Sequence, residues 1–272
     1  FKVFCQGGLN TSRDVLSQGE TQPGSAIALI NYEPAVTGGY RKINGYSNDY
    51  GTITGTGSVL GVCVVNGVND GILACRTPSS GNNYLHYWDN TAEDWVAVTT
   101  SGTPTMSGVV KVRFSKFNWG SPKVVLTDGI NPASTYDGTT YTQVTHADAP
   151  SAPKYSSLYQ NHLFLAGDPS EDNNLYFSAP YDETSFAAAD GAGVINVGFP
   201  IVAIKPFRDA LYVFGSNNIR KLTGNNIANF VLENVTDDLG CMATDSVIEI
   251  GGDLLFLSQD GLRPISGTNK IG

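Results

Sequence analysis

The chain has 272 residues, of which 41% are hydrophobic and only 15% are charged, and its formal net charge is −9. This size allows one large domain or two ordinary ones with a sizeable buried core. The 31 glycines, 13 tyrosines and 12 phenylalanines favour strands and tight turns over helices. A surface of this sign repels nucleic-acid phosphates and anionic membranes, and no apolar run approaches the length of a membrane span.

The N-terminal part, residues 1–57, is polar and punctuated by Gly and Pro. It contains two short predicted strands, 26–31 and 39–43, and we expect an extended arm that pairs with the rest of the protein and supplies a strand to an incomplete sheet. Residues 51–61 are rich in glycine but lack the lysine and the following helix of a phosphate loop, so a packed or solvated loop is predicted. The sequence starts without Met or a signal peptide and stops after an open strand pattern, which predicts a processed or trimmed chain.

One hairpin pattern recurs through residues 58–272. The stretch DSVIEIGGDLLFLSQDGLR (245–263) has two apolar runs around a Gly-Gly-Asp turn, and a second turn follows. Similar hairpins recur at intervals of roughly 45 residues, the spacing of propeller blades. They lie at 61–76, 112–129, 158–168 and 204–216. A second strand pair with a polar turn and a returning aromatic residue (Trp95, Tyr141, Phe186 or Phe230) follows each of these four.

Two linked hairpins make a four-stranded antiparallel sheet, which is not stable alone in water but can bury both faces against copies arranged around an axis. The sequence therefore predicts an all-β fold, a β-propeller of four-stranded antiparallel blades. The blades are expected near 58–100, 109–146, 154–190, 200–235 and 244–272, the last of them incomplete. A β-sandwich could use the same strands, but the regular period favours the propeller. The one helix candidate is 182–190, with Asp182 as N-cap and Gly191 as stop.

No residue pattern indicates catalysis, a cofactor or a metal. The three histidines, His86, His146 and His162, have no metal-ligand spacing. His162 falls in a hairpin turn, where a solvated side chain is expected, whereas His86 is expected to be packed or at a rim. Neither a nucleophile elbow nor a nucleotide-binding P-loop occurs. We therefore predict no catalytic, cofactor-binding or metal residues, no cofactor, and no enzymatic activity.

Three acidic segments can each be interpreted as a structural turn or as a functional site. The stretch 134–141 is a near match to the Asp box of sialidase-like propellers, in which an aspartate bonds local amides within a turn. The loop 168–174 could hold Ca²⁺ through several oxygens, but its spacing is not that of an EF-hand, and a solvated acidic loop is the simpler prediction. The adjacent Asp237 and Asp238 are expected to form a polar turn rather than a glycosidase pair.

Cysteines and aromatic residues also have two interpretations. The cysteines Cys5, Cys63, Cys75 and Cys241 are expected to be free thiols, although Cys63 and Cys75 could face each other across a hairpin as a disulfide. The aromatic residues within 84–95 could form a sugar-binding platform, but core or interface packing is the preferred interpretation.

Several of these segments resemble bacteriophage virion proteins. GFPIVAIKPFRDALYVFGSNNIRKLTG (198–224) is similar to a segment with an I-x-A strand, an L-Y-V-F strand and a strand ending in L-T-G. DLGCMATDSVIEIGGDLLFLSQDGLRPI (238–265) resembles the segment that follows it in those proteins. GGLNT (7–11) and GGYRKINGY (38–46) resemble their openings. The family is that of the tail β-propeller proteins, notably the nozzle or tail tubular protein B type of short-tailed phages.

This resemblance implies a virion structural protein that forms part of the DNA ejection channel. It implies a cyclic, hexameric ring of the chain, contacts with the tail adaptor and other tail proteins, and an acidic channel wall past which DNA slides without specific binding. Contact segments are expected at 7–46 and 51–61. The implied location is the virion tail, after synthesis in the bacterial cytoplasm, without a membrane. The alternatives are a secreted carbohydrate-binding or glycan-hydrolysing propeller and, less well supported by the motifs, an adaptor of the WD40 or kelch kind.

Overall fold

We describe a computed structural model of the chain. The structure describes residues 9, 25–26, 28–35, 39–45, 47, 50–65, 71–77, 84–102 and 108–268. The chain divides into two compact units, residues 1–49 and residues 50–272. The unit boundary lies eight residues before the predicted boundary at 57, because 50–57 packs with the larger unit. No helix in the described part of the chain has the length and apolar character needed to cross a membrane.

In the smaller unit, two strands pair with each other. They are β1 (Tyr32–Pro34) and β2 (Tyr40–Lys42), which are antiparallel and place Glu33 opposite Arg41. The predicted strand at 39–43 is confirmed as β2, whereas the one at 26–31 is wrong because the strand begins at Tyr32. β1 and β2 form a two-stranded sheet, so the predicted donation of an arm strand to a blade is not seen among the described pairings. Cys5 and most of the motif 7–11 lie outside the described residues.

The described residues of the larger unit form five sheets, which we number blades 1 to 5 in chain order. Blade 1 contains β3 (Val59–Val65), β4 (Gly71–Arg76), β5 (Leu85–Asp89) and β6 (Asp94–Ala97). Blade 2 contains β7 (Thr99–Ser101), β8 (Arg113–Asn118), β9 (Pro122–Thr127), β10 (Ser134–Tyr136) and β11 (Thr140–Gln143).

Blade 3 contains β12 (Tyr155–Tyr159), β13 (His162–Ala166), β14 (Asn174–Phe177) and β15 (Gly193–Asn196). Blade 4 contains β16 (Ala203–Phe207), β17 (Ala210–Phe214), β18 (Ile219–Thr223) and β19 (Val231–Thr236). Blade 5 contains β20 (Ile248–Ile250), β21 (Asp253–Ser258) and β22 (Gly261–Pro264). The only helices among the described residues are 3-10 turns at Ala188–Asp190, Thr244–Ser246 and Ile265–Gly267.

Tight turns give the blades their antiparallel order. In blade 3, Gln160 and Asn161 connect β12 to β13 with φ of 49° and 63°, and in blade 5 Gly251 and Gly252 connect β20 to β21 with φ of 63° and 80°. Two successive residues with positive φ match the right-handed twist of paired strands, which is why glycine and asparagine are favoured there. The hairpins predicted at 158–168 and 245–263 are confirmed.

Each inner blade packs through both of its faces, because successive side chains of a strand point to opposite sides. In β13, Leu163 and Leu165 join a core cluster with Val125 of blade 2. Phe164 and Ala166, on the alternate positions of the same strand, join a different cluster with residues of blade 4.

The same alternation occurs in blades 2 and 4. Val124 faces blade 1 while Val125 faces blade 3, and Val213 faces blade 3 while Phe214 packs on Phe256 of blade 5. Four buried clusters thus join five blades in series. One edge strand of each blade lies beside that of the next blade: β3 contacts β8, β8 contacts β12, and β12 contacts β16. Sheets that stack face to face, with one edge strand of each near a common axis, form a β-propeller. This is the fold that the sequence predicts.

The predicted blade bounds differ from the structure in two places. Residues 99 and 100 were expected in blade 1, but they belong to β7, which pairs in parallel with β11 at the outer edge of blade 2. The fourth strand of blade 3, β15, lies beyond the predicted end at 190, and Phe186 is a core residue outside any strand. The predicted helix 182–190 is wrong except for its last turn, because the Asp182 carboxylate accepts the amides of Thr184 and Ser185 in a turn.

Candidate functional site

The edge strands β3, β8, β12 and β16 line an open cavity at the propeller axis. Its volume is 610 Å³, within the range of small-molecule sites. Residues of β3, β8, β12 and β16 line it, together with the segment that leads into β20. Because every described blade contributes to this wall, the cavity is the place where groups distant in sequence meet.

The charged side chains that line this cavity are mainly basic. Arg113 and Lys116 come from β8 and Lys205 comes from β16, while Asp245 is the one carboxylate in the described lining. The cavity wall therefore carries a positive net charge, although the whole chain carries −9. The sequence does not predict this local reversal of sign.

Asp245 is held by two cations from blade 2. Arg113 Nε donates to Oδ1 at 3.0 Å and its Nη2 donates to Oδ2 at 3.1 Å, while Lys111 Nζ donates to Oδ2 at 2.6 Å. Burial alone would raise the pKa of Asp245, but these donors outweigh it and lower the pKa. The carboxylate is therefore ionised near neutral pH and ties the entry of blade 5 to blade 2 across the axis.

Hydroxyl groups connect the other walls. Thr244 Oγ1 donates to the carbonyl of Val202 at 2.8 Å and lies 3.1 Å from the hydroxyl oxygen of Tyr155. The hydroxyls of Ser115 and Ser156 are 2.8 Å apart, which links blades 2 and 3. The Arg113 guanidinium carbon lies 5.5 Å from the centre of the Tyr155 ring. These contacts hold Arg113 in a fixed position.

Lys116 and Cys63 lie on the blade 1 side of the cavity. Lys116 Nζ donates to the carbonyl of Val64 at 3.1 Å. Burial raises the pKa of the Cys63 thiol, and the nearby Lys116 only partly offsets this. A thiol with a raised pKa is a poor nucleophile near neutral pH. The arrangement is suited to holding an anion, since the lining offers cations and hydroxyls but no second carboxylate for acid–base chemistry.

The structure separates the three histidines. His86 is buried in β5, as predicted, and burial lowers its pKa. His146 is partly exposed and its Nδ1 lies 3.9 Å from Asp148. The prediction of a solvated His162 is wrong, because His162 is the buried first residue of β13 and its Nδ1 lies 2.6 Å from the carbonyl of Ser178. Within the described ranges, no group of three or more His, Cys, Asp or Glu side chains is placed to hold a metal ion.

The loop 168–174 was predicted to be solvated, but its first residue, Asp168, is buried. Asp168 is buried and accepts hydrogen bonds from Ser151 Oγ, the Ala152 amide, and both the amide and the hydroxyl of Ser170. Burial would raise its pKa, but these hydrogen bonds lower it. The carboxylate thus serves as a structural link between the start of blade 3 and the β13–β14 loop.

The other two acidic candidates are turn residues. Asp137, in the segment resembling an Asp box, accepts the amides of Thr139 and Thr140. This is the structural role predicted for it. Asp237 accepts hydrogen bonds from Arg220, Asn218 and Asn234, and the Arg220 contact, followed by the two amides, lowers its pKa to about 2.

The cysteines that the structure describes are free thiols. Cys63 stands opposite Leu73, and Cys75 stands opposite Gly61, so the two sulfurs are not cross-strand partners. The disulfide alternative is therefore not adopted. Burial raises the pKa of Cys75 strongly.

The aromatic side chains of blade 1 pack within the unit. Trp88 is buried, with ring centroids 4.9 Å from Tyr50 and 5.7 Å from Trp95 in edge-on geometry. Trp95 Nε1 donates to the Tyr50 carbonyl at 2.6 Å. These rings present edges to one another rather than an open stacking platform, so packing is the interpretation that the structure supports.

Residues 50–57 also cover part of blade 1. Ile53 is buried, and the carbonyls of Ile53 and Gly57 accept hydrogen bonds from Arg76. A Cβ on Gly55 would lie 2.4 Å from the Thr77 carbonyl oxygen, which explains the glycine. The glycine-rich segment is thus a packed loop, one of the two predicted forms.

A second feature is a group of exposed aliphatic side chains at each end of the described blade series. In blade 1, Leu73 and Cys75 face blade 2, so the alternate residues Val62 and Val64 point away, and they are 58% and 61% exposed. We call this inner part of the sheet face A, defined by Val62 and Val64.

Blade 5 has the corresponding feature. Its Leu254 and Phe256 face blade 4, so the opposite side of the sheet is left uncovered. That side, which we call face B, carries Ile248, Ile250 and Leu262, each between 51% and 65% exposed. Clustered exposed aliphatic residues on a sheet are typical of a surface that packs against another protein surface.

No family model matches the sequence, and no curated protein matches it either. Among solved structures, BBS1N in complex with ARL6DN is 10% identical with a TM-score of 0.46, and the match covers 83% of this chain and 66% of that one. The computationally designed Ika8 protein is 10% identical with a TM-score of 0.39, and the match covers 76% of this chain and 70% of that one.

Proposed function

We propose that this chain is a non-enzymatic structural protein of a bacteriophage tail, a nozzle-type ring component that forms part of the DNA ejection channel. The observation that carries the proposal is the pair of uncovered apolar faces, A and B, at opposite ends of the blade series. Two different faces on one chain fit a heterologous contact, in which face A of one copy packs on face B of the next, and such contacts generate rings when the rotation closes.

The segments with the phage resemblance support this proposal. Residues 198–224 contain β16, β17 and β18, and residues 238–265 contain the strands of blade 5, including face B. The resemblance therefore covers face B, whereas face A lies on β3, outside both segments. The proposed partners are further copies in a hexameric ring, the tail adaptor and other tail proteins, and the proposed location is the virion tail.

DNA would pass through the centre of the ring and not along the axis of one propeller. The axial cavity has 610 Å³, the size of a small-ligand site, and it is basic. A channel between copies can instead be bounded by the acidic outer surface implied by the net charge of −9, so DNA slides without specific binding.

The alternative, a carbohydrate-binding or glycan-hydrolysing propeller, is less well supported. It predicts paired carboxylates or an arginine cluster on the axis, whereas the described lining has one carboxylate, Asp245, bound to one arginine, Arg113. Clear hits on a glycan array would favour this alternative.

Sedimentation velocity of charged variants tests the proposed ring. Val62→Asp on face A and Leu262→Asp on face B should each abolish assembly, because a carboxylate would be desolvated in the contact. Val110→Asp is the matched control, since Val110 is 85% exposed and lies in the loop before blade 2; this variant should assemble like the wild type.

Mixing the two face variants sharpens the test. The Val62→Asp copy retains face B and the Leu262→Asp copy retains face A, so a heterologous contact predicts that the mixture forms dimers and nothing larger. Assembly of both single variants into the wild-type species would overturn the proposal, and so would a monomeric wild type in the presence of the other virion proteins.

A further inference from the structure

We propose that the axial cavity binds a small oxyanion, a phosphate or carboxylate group, between Arg113, Lys116 and Lys205. The first support is charge. These three cations and the single carboxylate of Asp245 give the lining a net charge of +2 in a chain of net charge −9. A concentration of one sign of charge in a cavity raises the local concentration of ions of the opposite sign.

The second support is donor capacity. Arg113 uses Nε and Nη2 on Asp245, and its Nη1 has no partner among the described residues. Lys116 makes one hydrogen bond, to the Val64 carbonyl, so two of its three N–H groups remain for a ligand. Lys205 has no ion-pair partner within the described ranges. Unused donors on several cations favour a ligand that carries several acceptor oxygens.

The third support is the geometry of Asp245 itself. Its carboxylate already receives a two-bond contact from Arg113 and a third bond from Lys111. Of the three proposed ligand cations, Arg113 is therefore one that already binds a carboxylate through two donors. Arg113 is also kept in place by the Tyr155 ring at 5.5 Å and is only 19% exposed. A bound anion would share Arg113 with Asp245 and gain Lys116 and Lys205.

Isothermal titration calorimetry with inorganic phosphate and with succinate tests the site and tells the two oxyanions apart. Saturable binding of either one at one site per chain is expected. Lys205→Met removes the charge but keeps the aliphatic stem, and we expect affinity to fall at least tenfold. Lys221→Met is the matched control, because Lys221 pairs with Glu233 outside the cavity, and its affinity should stay within twofold of the wild type.

Asp245→Asn should change the anion affinity in the opposite direction to Lys205→Met. It removes the competing negative charge with little change in shape, so affinity should rise several-fold. An overall structural effect would not raise affinity in one variant and lower it in the other, and circular dichroism checks the fold of each. Absence of saturable binding of both anions to the wild type would overturn the inference, as would equal affinity in Lys205→Met or weaker binding in Asp245→Asn.

The same calorimetry is repeated with a ten-nucleotide single-stranded DNA as a third ligand. Binding of this DNA without binding of either small anion would also overturn the inference, because it would indicate a surface for a polyanion. Arg113, Lys116 and Lys205 of one chain form the axial site, and it is tested in chains that keep Val62, which lines the same cavity. Its failure would leave the proposed tail function in place, and failure of ring assembly would leave the anion site in place.

Discussion

The contact between blades 4 and 5 provides a quantitative test of face-to-face stacking. Phe214 on β17 and Phe256 on β21 are fully buried, with ring centroids 5.3 Å apart. Replacing either one with Leu keeps an apolar side chain but leaves a small cavity, so it should cost about 1–3 kcal/mol of the free energy of unfolding. Either replacement also removes the ring–ring contact, which is worth about 0.5–1.5 kcal/mol beyond buried area. Because the double variant loses that contact once, its loss should be smaller than the sum of the single losses by about that amount.

Urea unfolding of the wild type, both single variants and the double variant measures this difference. Leu165 provides the control, since it belongs to the cluster between blades 2 and 3. Leu165→Val combined with Phe256→Leu should therefore be additive within about 0.5 kcal/mol. Additive losses for the Phe214 and Phe256 pair would refute the stacking of blade 4 on blade 5, because residues in different sheets of an unrelated arrangement have no contact to lose.

Two further predictions concern single positions. Hydrogen bonds hold the pKa of Asp168 below 3.8, so the stability it adds is present above that pH and is lost as the pH falls through the lowered value. We expect Asp168→Asn to lower the free energy of unfolding by about 2–3 kcal/mol at pH 7 and to flatten its dependence between pH 5 and pH 2, measured by urea unfolding; a variant as stable as the wild type at pH 7 would contradict this. In Gly240→Ala the new Cβ would lie 2.3 Å from the Gly215 carbonyl oxygen, so the backbone must move. A loss of about 1–3 kcal/mol is expected in thermal unfolding, whereas Gly45→Ala, with open space around it, should stay within about 0.5 kcal/mol.

Much of the blade structure follows from local sequence. In β13 the continuous apolar run 163–166 and the Gln160-Asn161 turn specify a hairpin within eleven residues, 158–168. The pairing of β7 with β11 could not be predicted in this way, because a parallel outer strand joins a partner about forty residues away without a connecting turn. The helix predicted at 182–190 was wrong because the Asp182 side chain can either cap a helix or close a turn. Contacts with the rest of the fold determine which of the two forms.

The axial site was harder to predict than the fold. Arg113 and Asp245 are 132 residues apart and meet only because their blades surround one axis. Lys205 interrupts an apolar first strand, and that interruption is the one local sign of a charged wall. His162 shows the opposite difficulty: it directly follows the polar turn residues Gln160 and Asn161, yet the strand turns it into the core. Turn chemistry therefore indicates where a hairpin lies better than it indicates which side chains are buried.

A three-dimensional electron-microscopy reconstruction of the purified protein tests the central claim most directly. The account predicts closed rings in which β3 of one copy faces β20 of the next, with Val62 and Val64 packed against Ile248 and Ile250. Particles of single-chain size that keep both of these faces open to solvent, even after the other tail proteins are added, would contradict it.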